Sequence, residues 1–173
     1  MDTPAHRVAP PAAIDVSQAA QAAPHAAAGL DAARLTHLVG YAASRAAIEL
    51  RKVFARHLGP LHLKVVEFSI LMLVASNPEV NQKRLGQALD VSAPNMAVTL
   101  DRMVERGWVE RVRSTRDRRA MLIHLTAKGR ELVQRAERIA ATMEDASLQM
   151  LSAAERALLI ELLLKVAAGR APR

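Results

Sequence analysis

Arginines are concentrated in the segment from Trp108 to Gly129, and their spacing suits the binding of a polyanion. The segment reads as a strand (Trp108 to Val112), a charged tip and a second strand (Met121 to Leu125), which is the pattern of a β-hairpin. Seven arginines stand against three acidic residues between Arg102 and Arg119. A guanidinium can bind phosphate oxygens and guanine edges through two parallel hydrogen bonds. The cationic hairpin therefore predicts a nucleic acid as partner, with DNA as the first candidate.

The composition limits the classes of partner and compartment. Basic residues outnumber acidic ones by 24 to 17, which gives a formal net charge of +7 and a pI near 10.7. Charge alone would also suit an anionic membrane surface, but no apolar run is long enough to span a bilayer and no secretory signal pattern is present. Without cysteine, the chain has no disulfides, thiolate metal sites or thiol redox sensor. We expect a cytoplasmic protein with no membrane partner.

Aromatic side chains are too few for the binding of single-stranded nucleic acid by base stacking. The whole set is Tyr41, Phe54, Phe68 and Trp108, and the charged tip of the hairpin contains none. Proteins that bind single strands or RNA usually stack bases on such rings. Duplex DNA is therefore favoured over RNA.

The first 29 residues differ in composition from the rest. They hold eleven alanines and half of the eight prolines, with no sustained apolar period. This predicts a disordered Ala/Pro-rich leader at residues 1–29, followed by a single domain at residues 30–173.

Apolar periodicity predicts two helices before the hairpin region. Residues spaced by three and four indicate a long amphipathic helix from near Leu30 to about Leu58, which Gly59-Pro60 ends. A second helix from about Leu63 is apolar around most of its circumference, which indicates burial on several sides. Asn77-Pro78 ends it.

Two shorter helices then lead into the hairpin. Asn81 is a good N-cap for the first, and Ser92 for the second, with Pro94 in its first turn. The second helix is expected to bury Met96, Leu100, Met103 and Val104 and to end at Gly107. The sequence therefore predicts two short helices joined by a tight turn, with the second helix followed directly by the hairpin. This arrangement is a winged helix-turn-helix.

Two further helices follow the hairpin. Thr126 is expected to cap a long helix with one apolar stripe, and Ser152 and Glu155 form a capping box for a last helix. The stripe consists of Leu132, Ala136, Ile139, Met143 and Met150, and the last helix carries Leu158, Leu159, Leu162, Leu163 and Val166. The predicted fold is mainly α with a small β-hairpin wing (α+β). Residues 61–126 would form the winged DNA-binding lobe, and residues 30–60 and 127–168 the helices of a homodimer.

Three segments make the chain resemble the MarR family of bacterial transcriptional regulators. They read NQKRLGQAL from Asn81, SAPNMAVTLDRMVERGWVER from Ser92, and STRDRRAMLIHLTAKG from Ser114. The resemblance implies a homodimer that binds pseudo-palindromic double-stranded DNA, with recognition helices in successive major grooves and wing arginines in the minor groove. It also implies a repressor released by a small aromatic or phenolic anion, bound to DNA at the bacterial nucleoid.

The resemblance also assigns roles to residues. Positions 97 and 98 often carry polar residues in the family, but here they are Ala97 and Val98. Apolar contact with thymine methyls is then expected, and direct base reading falls to Pro94, Asn95, Thr99 and Arg102. Arg119 is the minor-groove candidate with Asp117 pairing to it, whereas Arg116 and Arg118 are expected to meet phosphates. Asn95 and Thr99 are expected to face away from the core. The full predicted DNA-binding set is Ser92, Pro94, Asn95, Thr99, Arg102, Arg113, Arg116, Asp117, Arg118 and Arg119.

A second predicted site would bind the effector, an aromatic carboxylate or phenol. Its candidates are Tyr41, Arg45, His62, Phe68 and Met72. We expect no cofactor, and no metal, because the His57 and His62 pair lacks carboxylates at ligand spacing. We also expect no enzymatic activity, since no nucleophile elbow, phosphate-binding glycine loop or metal-binding His-Glu motif is present. The alternative is a winged-helix module that binds a protein or an anionic surface without a small-molecule signal.

Overall fold

The computed structural model describes residues 30–114 and 121–169. The predicted leader (residues 1–29) and the predicted wing tip (residues 115–120) lie outside the described residues. The chain forms two compact parts, the first ending at Ile48 and the second beginning at Glu49.

The N-terminal part contains a short helix and the first half of a long one. Helix α1 is Ala33–Thr36, and helix α2, Val39–Leu58, continues into the second part. The prediction of one unbroken helix from near Leu30 was wrong. Leu38 N donates to Leu35 O at 2.9 Å, and this i→i−3 bond closes α1 as a turn before α2 begins. Helix α2 ends at Leu58, as Gly59-Pro60 predicted.

The second part has the element order of a winged helix, so the predicted fold class is confirmed. The predicted first strand is displaced by one residue, and the second has the predicted bounds. After α2 come a 3-10 turn Gly59–Leu61, α3 Val65–Ser76, α4 Gln82–Leu89, α5 Ala93–Glu105, β1 Val109–Arg113, β2 Met121–Leu125, α6 Ala127–Ala140 and α7 Ala153–Ala168.

Side-chain caps start three of the four helices for which the sequence predicted a cap. Asn81 Oδ1 accepts from Arg84 N at 3.0 Å, and Thr126 Oγ1 accepts from Gly129 N at 3.0 Å. At α7, Ser152 N donates to Glu155 Oε2 at 2.8 Å, and Glu155 N donates to Ser152 Oγ at 3.3 Å. Ser152 Oγ also donates to Glu155 Oε2 at 2.8 Å. The backbone and side-chain hydrogen bonds from Ser152 to the carboxylate lower the pKa of Glu155 below its usual value. Three predicted caps are therefore confirmed.

Ser92 fits its predicted role only in position. It is the N-cap of α5, and Pro94 lies in the first turn, but the Ser92 side chain makes no capping hydrogen bond. Its backbone is extended, with φ −58° and ψ 148°, so the helix begins after Ser92 without a hydrogen bond from the hydroxyl.

Helix α5 contributes one face to the core of the winged part. Met96, Leu100 and Met103 are fully buried, as predicted, but Val104 is 37% exposed and does not belong to this face. The buried side chains follow the spacing i, i+4, i+7, and Val104, at i+8, lies at the edge of this stripe. The core continues through Leu58, Ile70, Leu71, Val74, Leu85, Trp108, Val109, Ile123, Leu132 and Ala136.

The hairpin is held to the helices by a backbone contact that the sequence did not reveal. β1 and β2 are antiparallel, with Val109 opposite Leu125 and Arg113 opposite Met121. Ile123 N also donates to Val80 O at 2.9 Å. The residues just before α4 therefore add a short third strand-like segment to β2.

The helix after the hairpin is shorter than predicted. Helix α6 ends at Ala140, where i→i−3 bonds such as Thr142 N to Ile139 O begin a run of turns. Met143 still packs against the core, whereas Met150 is 71% exposed. The prediction of one long helix was therefore wrong beyond Ala140, and the predicted apolar stripe was wrong at Met150.

No single helix within residues 30–114 and 121–169 is long and apolar enough to cross a membrane. Two successive segments, Val39–Leu61 and Val65–Ser76, reach that length and composition together, and they are bent at their junction. The second is a core helix, in which Ile70 and Leu71 have no exposed surface.

Candidate nucleic-acid interface

Helix α5 presents a mixed polar and apolar face to solvent, opposite its buried stripe. Pro94, Asn95, Val98 and Arg102 are exposed, and Val98 is 54% exposed despite being apolar. Arg102 Nε donates to Val98 O at 3.3 Å, so the guanidinium lies along the helix beside this valine. A surface of this kind can contact both base edges and thymine methyl groups.

Thr99 does not belong to this exposed face. It is only 7% exposed, and its hydroxyl donates to Asn95 O at 2.8 Å. Residue 99 lies three positions after Met96 and four before Met103, so helical geometry puts it on the core side. The predicted outward orientation of Thr99 was wrong, and its hydroxyl is occupied within the helix.

An ion pair connects α5 to the first strand of the hairpin. Arg111 Nη1 lies 2.6 Å from Asp101 Oδ1, and both side chains are partly exposed. Asp101 thereby orients a cation on the solvent side of β1. Sequence reasoning missed this pair because the two residues belong to different elements and no helical or strand period relates them.

The arginines of β1, Arg111 and Arg113, are exposed to solvent. Arg113 is exposed and is paired with Met121 at the last described position of the two strands. Arg116, Asp117, Arg118 and Arg119 lie outside the described residues. The roles predicted for these four residues stay predictions.

The base of the hairpin is a tight junction between α5, β2 and α6. Gly107 follows α5 with φ +69° and donates to Val104 O at 2.8 Å, while Trp108 N donates to Met103 O at 2.9 Å. This pair of bonds is a Schellman motif. Thr126 Oγ1 donates to Gly107 O at 2.6 Å. The same threonine that caps α6 therefore also binds the end of α5.

The predicted effector residues lie on both parts of the chain. Tyr41 and Arg45 are half-buried and one turn apart on α2, so they share a side of that helix. Phe68 contacts Phe54 edge to face, with ring centroids 5.7 Å apart, and Met72 is half-buried one turn further along α3. His62 is exposed and has a left-handed backbone, with φ 55°.

Two cavities in the described part of the chain are lined by other residues. One of about 240 Å³ lies between the end of α3 and β2, beside His124 and Arg130. The second, of about 110 Å³, lies between α3 and α4 beside Leu73 and Leu85. Neither is lined by His62, Phe68 or Met72. No group of three His, Asp or Glu side chains that would hold a metal ion occurs among the described residues.

Comparison with known proteins identifies the family. A family model described as "MarR family" matches residues 63–120. A solved structure of the transcriptional repressor CouR bound to a 23-mer DNA duplex is 34% identical, with a TM-score of 0.75 over 80% of this chain and 98% of CouR. The chain belongs to the MarR family. The resemblance found in the sequence is therefore confirmed.

Other matches are less similar to this chain or cover less of it. CouR bound to p-coumaroyl-CoA is 32% identical, with a TM-score of 0.72 over 80% of this chain and 97% of that one. YpoP, an uncharacterized HTH-type regulator of Bacillus subtilis, is 32% identical over 49% of this chain. A putative regulatory protein for the hcr operon of Thauera aromatica is 31% identical over 56% of it. The chain spans 64% and 58% of the length of these two relatives.

Proposed function

We propose that this MarR-family chain is a homodimeric transcriptional repressor that binds duplex DNA through α5 and the wing, meaning β1, β2 and their connection. The observation that carries the proposal is the exposed face of α5, formed by Pro94, Asn95, Val98 and Arg102, beside the cationic strand that ends at Arg113. A helix with one buried face and one mixed polar face, followed by a basic hairpin, suits insertion into a major groove. The structure of CouR bound to a DNA duplex supports this use of the shared fold.

The two elements would do different work on DNA. Asn95 can donate to and accept from an adenine edge, and Arg102 can bind a guanine edge. Val98 can contact a thymine methyl, whereas Arg113 would bind phosphates. At the wing tip, Arg119 would enter the minor groove, where narrow A·T tracts concentrate negative potential.

Substitutions should separate base reading from phosphate binding. Asn95→Ala and Val98→Ala are expected to change the preferred half-site sequence, while Arg113→Ala should weaken all duplexes alike and lower the salt slope by about 0.9. Arg119→Ala should cost about 1–3 kcal/mol of binding free energy. The unmodified protein first selects duplexes from a random library. The affinity of each variant for these duplexes is then measured at several salt concentrations. Arg135→Ala, on the exposed side of α6, is the control.

Two results would contradict this assignment. If the unmodified protein enriched no sequence from the library, sequence-specific regulation would be ruled out. The alternative, a winged-helix module that binds a protein or an anionic surface, would take its place. If all four substitutions caused the same sequence-independent loss, the division between base and phosphate contacts would be wrong.

We also infer that an aromatic carboxylate or phenol is the effector. Arg45 can pair with a carboxylate, and Tyr41 on the same side of α2 can donate to it. CouR bound to p-coumaroyl-CoA supports an aromatic acid or its thioester as the chemical class. The ligand would act by favouring a dimer whose recognition helices no longer match successive grooves.

The effector prediction is tested with 4-hydroxybenzoate, p-coumarate and p-coumaroyl-CoA. An active compound should raise the melting temperature and weaken duplex binding about tenfold, which corresponds to a preference of about 1.4 kcal/mol for the non-binding state. Arg45→Ala should lose this response but keep DNA affinity, while Arg51→Ala, exposed on the same helix, should keep both. A normal response in Arg45→Ala would remove Arg45 from the site, and no release by any of the three compounds would refute this effector class.

A further inference from the structure

Arg106 lies at the junction between the recognition helix and the turn that precedes α3. It is the C-cap residue of α5, and its Nη1 donates to His62 O at 2.9 Å. The same nitrogen lies 3.9 Å from Glu67 Oε2, and the guanidinium carbon lies 4.7 Å from the centre of the Trp108 ring. We call these four residues, His62, Glu67, Arg106 and Trp108, the Arg106 clamp.

Glu67 is the unusual member of the clamp. Its side chain is only 1% exposed, although it is a carboxylate. Its Oε2 accepts from Lys64 N at 2.9 Å, which accounts for one hydrogen bond at the start of α3. A glutamine would serve that cap equally well. The start of α3 therefore does not explain why the buried group is a carboxylate, whereas the nearby guanidinium does.

The clamp holds the C-terminal end of α5 from several sides. Arg106 O accepts from Lys128 Nζ at 2.8 Å, so its backbone is tied to α6 while its side chain is tied to the turn before α3. The His62 backbone is left-handed, with φ 55°, and the carbonyl of this same residue accepts the Arg106 hydrogen bond. The direction of α5 is thus linked to the shape of the turn at residues 59–64.

We propose that Arg106 and Glu67 are positioning residues that set the direction of the recognition helix, so that DNA affinity depends on the conformation of the turn before α3. The proposal rests on the proposed DNA-binding function and adds to it a route by which a change at this turn reaches α5. Glu67 is buried, whereas the Arg106 side chain is 41% exposed. A buried carboxylate is stabilised when a cation lies beside it, so the pair favours the arrangement of α5 and the turn that keeps the guanidinium in this place. Neither residue needs to touch DNA.

Glu67→Gln gives a test in which positioning and simple electrostatics predict opposite signs. The substitution removes a negative charge from a protein that binds a polyanion, so electrostatics alone predicts equal or tighter binding. The positioning role predicts binding about tenfold weaker, because glutamine keeps the α3 cap but loses the ion pair. Glu131→Gln removes an exposed negative charge on α6 and is the matched control, expected to bind equally or more tightly.

Arg106→Lys is the second variant and distinguishes a clamp from a phosphate contact. Lysine keeps the positive charge but cannot hold the His62 carbonyl and cover the Trp108 ring with one planar group. A positioning role therefore predicts weaker binding, whereas a phosphate contact, which the lysine charge can replace, predicts nearly unchanged binding. The double variant should be no weaker than the more affected single variant, because both substitutions break the same contact.

Trp108 supplies a spectroscopic reading that is independent of DNA. It is the single tryptophan of the chain, and it is 7% exposed with Arg106 over its ring. Loss of the clamp in Arg106→Lys should shift its emission to longer wavelength and increase quenching by acrylamide. Arg135→Lys, on the exposed side of α6, should change neither.

The binding experiment uses the full chain and a duplex that the unmodified protein selects from a random library. It is run at a temperature at which circular dichroism shows each variant folded. If the unmodified protein selects no duplex, the DNA-binding function itself fails. If the unmodified protein binds its duplex, and Glu67→Gln and Arg106→Lys bind that duplex within about twofold of the unmodified affinity, the clamp proposal is overturned. The DNA-binding function then stands. Normal binding by Glu67→Gln with a salt slope lowered by about 0.9 in Arg106→Ala, which removes the charge, would make Arg106 a phosphate contact instead.

Discussion

A chain that ends at Leu151 is expected to be monomeric and to bind its DNA site at least about a hundredfold more weakly than the full chain. The truncation removes α7, Ala153–Ala168, and leaves the winged elements intact. Binding of two linked half-sites gains affinity because the second contact is intramolecular. A monomer has only one recognition helix and one wing, so this gain is lost.

The physical reason lies in the surface of α7. Its apolar side chains occupy all sides of the helix, and they are between 39% and 67% exposed in the single chain: Leu158, Leu159, Ile160, Leu162, Leu163, Leu164 and Val166. A helix that is apolar all round is normally buried, and exposed apolar surface of this extent marks an interface. A second copy of the chain is the partner that we propose.

Sedimentation and duplex binding would measure the two effects together. Leu159→Glu with Leu163→Glu, one turn apart on α7, should reproduce the truncation without shortening the chain. Lys165→Ala, which changes an exposed polar residue of the same helix, is the control and should remain a dimer. A truncated chain that still sedimented as a dimer would show that α7 is not the interface.

Replacing Gly129 with alanine is expected to lower the free energy of unfolding by about 3 kcal/mol or more. Gly129 lies in the first turn of α6 against the backbone of Trp108. A Cβ added there would lie 2.9 Å from the Trp108 carbonyl carbon and closer still to its oxygen. The atoms it meets are backbone, so no side-chain rotation relieves the contact.

Relief of that contact would separate α6 from the end of α5. Thr126 N donates to Trp108 O at 3.1 Å, and this bond lies where the two backbones would have to move apart. Chemical denaturation measures the loss of stability, and the DNA affinity should fall with it because the base of the wing is displaced. Gly59→Ala is the control, because a Cβ at that position meets nothing within 4 Å. Equal stability of the two variants would refute the close approach at Gly129.

Local signals in the sequence predicted most helix boundaries correctly. Asn81, Thr126 and Ser152 cap helices with their own side chains, and Gly107 ends α5 with a positive φ. These positions could be predicted because a cap depends on residues within four positions of one another. The break before α2 and the end of α6 at Ala140 carry no such residue, and both were missed.

The face of a helix was harder to assign than its ends. The polar side chain of Thr99 was predicted to be exposed and is buried. The apolar side chain of Val104 was predicted to be buried and is exposed. Helical spacing from Met96 and Met103 is enough to place Thr99 correctly. Its hydroxyl bond to Asn95 O satisfies the buried oxygen, which makes a threonine acceptable there.

The sequence by itself determined the element order, the family and the cationic character of the wing, because each is expressed in local spacing and residue type. The tertiary structure alone decided which distant residues meet. The pairing of Asp101 with Arg111, the bond from Ile123 N to Val80 O, and the approach of Arg106 to Glu67 each join separate elements. No period in the chain specifies such contacts, because they depend on how the helices and the hairpin pack around a shared core.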